Sequence, residues 1–63
     1  MNKNQEMFAN YPDVVSPEQL QQMLGISRSK AYSLLQTREI KSRKVGTIYK
    51  IPKINVIEFM EEV

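Results

Sequence analysis

The chain has 63 residues, so it forms at most one small domain. It contains no Cys and no His, so it lacks disulfides, thiolate and imidazole metal ligands, and the most common general base. Its net charge of +2 is unevenly distributed, because Arg28 to Lys53 carry a net +7 and the remainder a net −5. A basic middle between acidic ends predicts that one face of the protein binds a polyanion. No run of about 20 apolar residues is present to span a membrane.

The first 12 residues are polar and rich in Asn, and their few apolar side chains fit neither a helix face nor a strand. We predict a flexible N-terminal segment over residues 1–12 and a folded domain over residues 13–63. Val14 and Val15 are predicted to form a short strand that pairs with a later one.

A first helix is predicted to begin at Pro17. Ser16 offers a side-chain oxygen to the first amides, Pro17 suits the first helical position, and Gln19 has the spacing of a capping-box partner. Gly25 favours the left-handed conformation that ends a helix. The apolar stripe of this helix consists of Leu20, Met23 and Leu24.

A second helix follows a short turn, with Ser27 as its predicted N-cap. Its core stripe consists of Ala31, Leu34 and Leu35. At about 100° per residue, the opposite face holds hydroxyls, an amide and an aromatic ring, with a cation on each flank. Such a surface can enter a groove and donate hydrogen bonds. Two capped helices joined by a Gly-containing turn predict a helix-turn-helix over Ser16 to Thr37.

The remainder is predicted to form a β-hairpin and a last helix. Ile40 to Val45 and Ile48 to Ile51 are the predicted strands, and the chain turns at Gly46. Pro52 ends the second strand because it cannot donate a ladder hydrogen bond, and a helix follows from about Lys53 to Glu62.

The stripe of the last helix is predicted from its spacing to be Val56, Phe59, Met60 and Val63. Ile54 and Ile57 lie off that stripe. They either pack on the N-terminal segment, which we favour, or form a small exposed patch for a partner.

Two registers are open to the hairpin. A two-residue turn would pair Val45 with Ile48 and place Val45 and Ile51 on opposite faces, which leaves an apolar side chain outside the core. A three-residue loop pairs Val45 with Tyr49 and puts both on the face of Ile51. We therefore predict the three-residue loop.

The predicted register sets Lys44 directly across from Lys50 on the outer face. Two like charges in that position repel mildly. A phosphate bound between them would reverse the sign of the interaction. Alternatively, both side chains swing apart into water.

A series of short motifs occurs in order from Leu24 to Phe59. They are Leu24-Gly25, Ile26-Ser27-Arg28-Ser29, Tyr32, Val45-Gly46, Tyr49, Ile51-Pro52 and Phe59. The set resembles the excisionase-type and MerR-like helix-turn-helix domain of phage and transposon excisionases and small regulators. Each motif is weak by itself, but the ordered set is strong, and the resemblance covers roughly Val14 to Met60, nearly the whole chain.

The resemblance implies an α+β fold, a small winged helix-turn-helix with about three helices and a β-hairpin wing. It also implies binding of double-stranded DNA, with the second helix in the major groove and the wing on the adjacent minor groove or its backbone. The residues expected on the recognition helix are Ser27, Arg28, Ser29, Lys30, Tyr32, Ser33 and Gln36. Those expected on the wing and backbone are Arg38, Lys41, Arg43, Lys44, Thr47, Lys50 and Lys53.

One position departs from the family pattern. Many relatives carry a basic residue where this chain has Ser33. Contacts to the DNA bases are therefore expected to depend more on Arg28, Ser29, Lys30 and Tyr32. A sequence preference of the relatives therefore does not transfer to this chain directly.

Three functions are compatible with this reading. The first is an excisionase-like architectural factor that bends DNA, binds it cooperatively with other copies of itself and assists a site-specific recombinase of the integrase class. The second is a small phage or plasmid transcriptional regulator with the same mode of DNA binding, and the third is a protein-interaction adaptor. Catalysis is disfavoured because the acids fall on a solvated helix. No cofactor, metal, small-molecule ligand or membrane is expected, and the expected location is the bacterial or phage nucleoid in the cytoplasm.

Overall fold

The computed structural model describes residues 8–62, in which a helix-turn-helix and a β-hairpin share one core. The elements in chain order are β1 (Val14–Val15), α1 (Pro17–Leu24), α2 (Arg28–Gln36), β2 (Arg43–Val45), β3 (Ile48–Pro52) and α3 (Lys53–Glu61). The strands form an antiparallel sheet in the order β1-β3-β2. The predicted small α+β winged helix-turn-helix is confirmed.

The capping residues fix α1 as predicted. The Gln19 amide donates to the Ser16 hydroxyl at 3.2 Å, and the Gln19 side-chain oxygen accepts from the Ser16 amide at 2.9 Å. Pro17 occupies the first turn. Gly25 ends the helix with φ at 64°, a left-handed conformation that glycine adopts without strain.

The core draws one or more apolar side chains from every element except β2. Val15 lies across from Ile51 in the sheet, which confirms that the first strand pairs with a later one. Leu24 and Leu34 of the predicted helix stripes are half-buried and pack against the core. The buried cluster comprises Val15, Leu20, Met23, Ala31, Leu35, Ile40, Ile51 and Val56.

Ile40 is buried but does not belong to a strand, so the prediction of a strand beginning there is wrong. The amides of Glu39 and Ile40 both donate to the Leu34 carbonyl, at 3.1 and 3.3 Å. This ties the backbone of Ile40 to the end of α2 instead of to β3. The side chain of Ile40 then fills the core beneath the loop, and β2 begins only at Arg43.

The predicted three-residue loop is also wrong, because Val45 pairs with Ile48 across a two-residue turn. Gly46 has φ at 63° and Thr47 has no positive φ, which matches a type II′ turn. This turn has the twist of its flanking strands, which favours the shorter connection. The longer loop was predicted because it would bury Val45. Val45 is instead 56% exposed, so the hairpin tip extends beyond the core.

The observed register changes the cation pair on the wing. Lys50 lies across from Arg43, and Lys44 lies across from Tyr49. The predicted Lys44–Lys50 pair therefore does not form. A like-charge pair still occupies the outer face, but its members are Arg43 and Lys50.

α3 buries a face rotated from the predicted stripe. Val56 and Ile57 are buried, whereas Met60 is 41% exposed, so Met60 was wrongly assigned to the core and Ile57 wrongly left out of its stripe. Ile54 is 48% exposed. Phe59, in the same turn as Met60 and also in the predicted stripe, is half-buried and packs against the core. Val63, the last member of the predicted stripe, lies outside the described residues.

The described part of the N-terminal segment contacts the core. Phe8 and Tyr11 pack against it, with their rings edge to face at 6.1 Å. The Lys53 ammonium donates to the carbonyls of Tyr11, at 3.0 Å, and Phe8, at 3.4 Å. The Lys53 amide donates to the Asp13 carbonyl at 2.7 Å. Residues 1–7 lie outside the description, and the flexibility of residues 1–12 stays a prediction.

Candidate nucleic-acid interface

α2 presents a polar face to solvent because its caps and its core residues fix its rotation. The Ser27 hydroxyl accepts from the Lys30 amide at 3.2 Å and begins the helix as predicted. Ala31 and Leu35 are buried beneath it. Tyr32 is half-buried, and the other predicted recognition residues are all exposed: Ser27, Arg28, Ser29, Lys30, Ser33 and Gln36.

The N-terminal half of α2 borders a shallow hollow. Ile26 and the aliphatic part of Lys30 contribute apolar surface, and three hydroxyls surround it. Hydroxyls can donate to or accept from base edges and phosphate oxygens, so the hollow suits a nucleic-acid surface. The hydroxyls belong to Ser27, Ser29 and Ser33.

An aromatic contact joins α2 to the wing. The rings of Tyr32 and Tyr49 meet at a centroid distance of 5.8 Å and an interplanar angle of 74°. The Arg28 guanidinium lies 5.4 Å from the centroid of the Tyr32 ring, and the Lys44 ammonium lies 5.4 Å from that of Tyr49. A cation over an aromatic face is attracted by the negative charge of that face. The positive edge of a second ring is attracted to the face in the same way. The four side chains form a continuous row, which we call the aromatic bridge.

The sequence predicted Arg28, Tyr32 and Lys44 as contact residues, but neither Tyr49 nor the contact that joins the four side chains. The predicted register places Tyr49 on the core side of the hairpin, outside the predicted interface. The two-residue turn contains the signal that could have found it, since that register alone places Lys44 opposite Tyr49 on the face toward the core.

A cleft separates the C-terminal end of α2 from the wing. Arg38 stands beside it with φ at 64°, and Lys44 and Tyr49 line its other side. Gln36 and Ser42 add an amide and a hydroxyl. Two cations with neutral donors between them suit a backbone phosphate. Ser42 is not among the predicted contacts, which on the wing are cations and Thr47.

The remaining wing residues lie around the hairpin tip. Thr47 occupies the turn, and Arg43 faces Lys50 across the strands. All three are exposed. α2 and the hairpin together contain five Lys or Arg and no carboxylate: Arg28, Lys30, Arg43, Lys44 and Lys50.

Two predicted contacts are not brought to this surface. The Lys53 ammonium is occupied by the carbonyls of Phe8 and Tyr11. Lys41 borders a groove on α3, where its carbonyl accepts from the Asn55 side chain at 2.9 Å. The groove also contains three carboxylates, which belong to Glu39, Glu58 and Glu62.

A family model described as a helix-turn-helix domain matches residues 14–63. The chain belongs to this family. Its members are excisionase-like DNA-binding domains, so the helix-turn-helix described above binds DNA. No curated protein and no solved structure gives a significant match to the chain.

Two further properties concern residues 8–62 alone. No helix in that range is long and apolar enough to cross a membrane. No group of three or more Asp and Glu side chains in that range is placed to hold a metal ion.

Proposed function

We propose that this helix-turn-helix domain is an excisionase-like architectural factor that binds and bends double-stranded DNA. α2 enters the major groove, and the β2–β3 wing lies on the adjacent minor groove and its backbone. The domain performs no chemistry of its own. It acts by holding DNA in a shape that a site-specific recombinase of the integrase class can use, on bacterial or phage DNA.

The aromatic bridge is the observation that carries this proposal. The contact between Tyr32 and Tyr49 holds the helix and the wing at a fixed relative position, and each ring lies beneath a cation. Two rigidly linked basic elements can contact neighbouring grooves without ordering a flexible loop on binding, which lowers the entropic cost of association.

The interface divides into base contacts and backbone contacts. On α2, Arg28 can donate two parallel hydrogen bonds to guanine, and the smaller polar residues can contact base edges or phosphates. On the wing, the cations neutralise phosphates and add affinity without sequence preference. The proposed base-contact set is Ser27, Arg28, Ser29, Lys30, Tyr32, Ser33 and Gln36. The proposed backbone set is Arg38, Ser42, Arg43, Lys44, Thr47 and Lys50.

Cooperative binding of adjacent copies along DNA is part of the proposal, because one small domain covers a short site. Selection of bound duplexes from random DNA, followed by footprinting and measurement of DNA bending, tests it. Direct repeats occupied side by side with an induced bend are the expected result. A single inverted repeat without bending would contradict the architectural role and identify a transcriptional regulator.

A further inference from the structure

The tip of the wing exposes two apolar side chains. Val45 and Ile48 are each 56% exposed and lie directly across from one another beside the Gly46-Thr47 turn. Cross-strand pairing at these positions stabilises the hairpin. It does not require apolar side chains, because Thr is also favoured in strands and also forms cross-strand pairs. Two large apolar groups in solvent at the end of a projecting hairpin indicate a surface that a ligand covers.

The surroundings of the tip favour DNA as that ligand. Side chains alternate along each strand, so the face that holds Val45 and Ile48 also holds Arg43 and Lys50, which are exposed. A purely apolar protein partner would have to cover these two cations and remove their hydration, which is costly without acids to pair with them. A duplex accepts both groups at once, because its phosphates flank grooves lined by the edges of stacked bases.

We propose that Val45 and Ile48 form an apolar wedge that enters the minor groove and partly separates two stacked base pairs. The minor groove is about 6 Å wide, and proteins that insert apolar side chains there bend the duplex by about 20–90° towards the major groove. This inference rests on the proposed function and supplies the means by which so small a domain bends DNA.

Contacts with α2 hold the hairpin in place. On its other face, Lys44 lies over the Tyr49 ring, and that ring meets Tyr32 of α2. When α2 occupies the major groove, the aromatic bridge therefore sets the position of the tip. Arg43 and Lys50 then hold the phosphates beside the separated step.

A second copy of the chain is the main rival occupant. The apolar surface extends from Ile48 towards Val14, which is 50% exposed and borders the same groove. Contact between adjacent copies on DNA would cover this surface without any insertion between bases. The experiment must therefore separate an effect on one bound molecule from an effect on cooperativity.

The test substitutes both tip residues, Val45→Thr and Ile48→Thr, in the full chain. Thr keeps the branching at Cβ that suits a strand but replaces one methyl group of Val, or the ethyl group of Ile, by a hydroxyl. Ile54→Thr, at an exposed position on α3, is the matched control. A duplex with one selected site carries a fluorophore at each end to report bending, and a second duplex carries 2-aminopurine at successive steps to report unstacking.

The native chain and the Ile54→Thr control are expected to bend the single-site duplex and to raise 2-aminopurine fluorescence at one step. The double variant is expected to lose about half or more of the bend and the fluorescence rise, with an unchanged salt slope because no cation is removed. Equal bending and fluorescence in the native chain and the double variant would overturn the wedge.

Two other outcomes are distinguishable. An unchanged single-site bend with lost cooperativity on a two-site duplex would overturn the wedge and assign the tip to contact between copies. Failure of the native chain to show salt-dependent DNA binding would overturn the proposed function itself, and the wedge with it.

Discussion

The edge of one ring meets the face of another where Tyr32 of α2 contacts Tyr49 of β3, at 5.8 Å and 74°. This contact joins the two elements that the domain is proposed to place on DNA. It is local to neither element, since 17 positions of sequence separate the two residues. Its partners Arg28 and Lys44 extend it from the proposed base-contact surface to the proposed backbone surface.

Removing either ring should loosen the wing from α2. A double-mutant cycle with Tyr32→Ala and Tyr49→Ala, measured by denaturant unfolding, is expected to give a coupling free energy of about 0.5–1.5 kcal/mol. Tyr32→Phe and Tyr49→Phe are the controls and should keep the coupling, because the edge-to-face contact does not use the hydroxyls. A coupling near zero would mean that the rings are neighbours without energetic linkage.

Arg28 is expected to contribute to sequence recognition. Arg28→Ala should weaken binding to a selected site by about 1–3 kcal/mol and relax the preference at the contacted base. Competition between selected and random duplexes measures both effects. Because Arg28 also lies over Tyr32, Arg28→Lys is the control. It keeps a cation over the ring but loses the paired donors, so it should also relax the preference.

The wing cations are expected to act on all sequences alike. Lys44→Ala or Lys50→Ala should weaken specific and random binding equally and make the log-log salt slope shallower by about 0.9 each. Lys41→Ala is the matched control, because Lys41 borders the acidic groove on α3 and should leave the slope unchanged. If Lys41→Ala makes the slope shallower by as much as Lys44→Ala does, the groove on α3 contacts DNA and the proposed surface is wrong.

Lys53 is expected to hold the N-terminal segment instead of DNA. Lys53→Met keeps much of the aliphatic stem but leaves the Phe8 and Tyr11 carbonyls without their donor. The variant should show lower thermal stability and faster amide exchange around residues 8–13, with the salt slope of DNA binding unchanged. A shallower salt slope with unchanged amide exchange would instead show that Lys53 contacts DNA.

Ile40 should be important for stability despite its position in a loop. Its side chain is completely buried, so Ile40→Ala is expected to lower the free energy of unfolding by about 2–5 kcal/mol. Ile54→Ala removes the same atoms at an exposed position and should cost far less. Similar losses from both, measured by urea unfolding, would contradict the assignment of Ile40 to the core.

The features that the sequence predicted correctly depend on neighbours along the chain. The Ser16–Gln19 capping box and the left-handed Gly25 follow from three or four adjacent residues, and both formed as expected. The exposed face of α2 followed equally from helical spacing and the Ser27 cap.

The errors concern features that depend on the whole fold. The predicted register requires Val45 to be buried, but Val45 is 56% exposed at the hairpin tip. Ile40 is a β-branched residue of the kind that favours strands, yet its amide donates to the Leu34 carbonyl at the end of α2. Met60 has the spacing of a core residue but is 41% exposed, because the buried face of α3 is rotated towards Ile57. Lys53 is predicted as a contact to the DNA backbone, but its ammonium donates to the carbonyls of Phe8 and Tyr11.

The salt dependence of duplex DNA binding by the native chain tests the central claim most directly. With the proposed cations neutralising phosphates, the log-log slope of affinity against salt should be roughly −4 to −6. Arg38, Arg43, Lys44 and Lys50 of the proposed backbone set account for about −4, and Arg28 and Lys30 on α2 account for the remainder where they also contact phosphates. A slope near zero would contradict the account and favour a protein partner for the same surface.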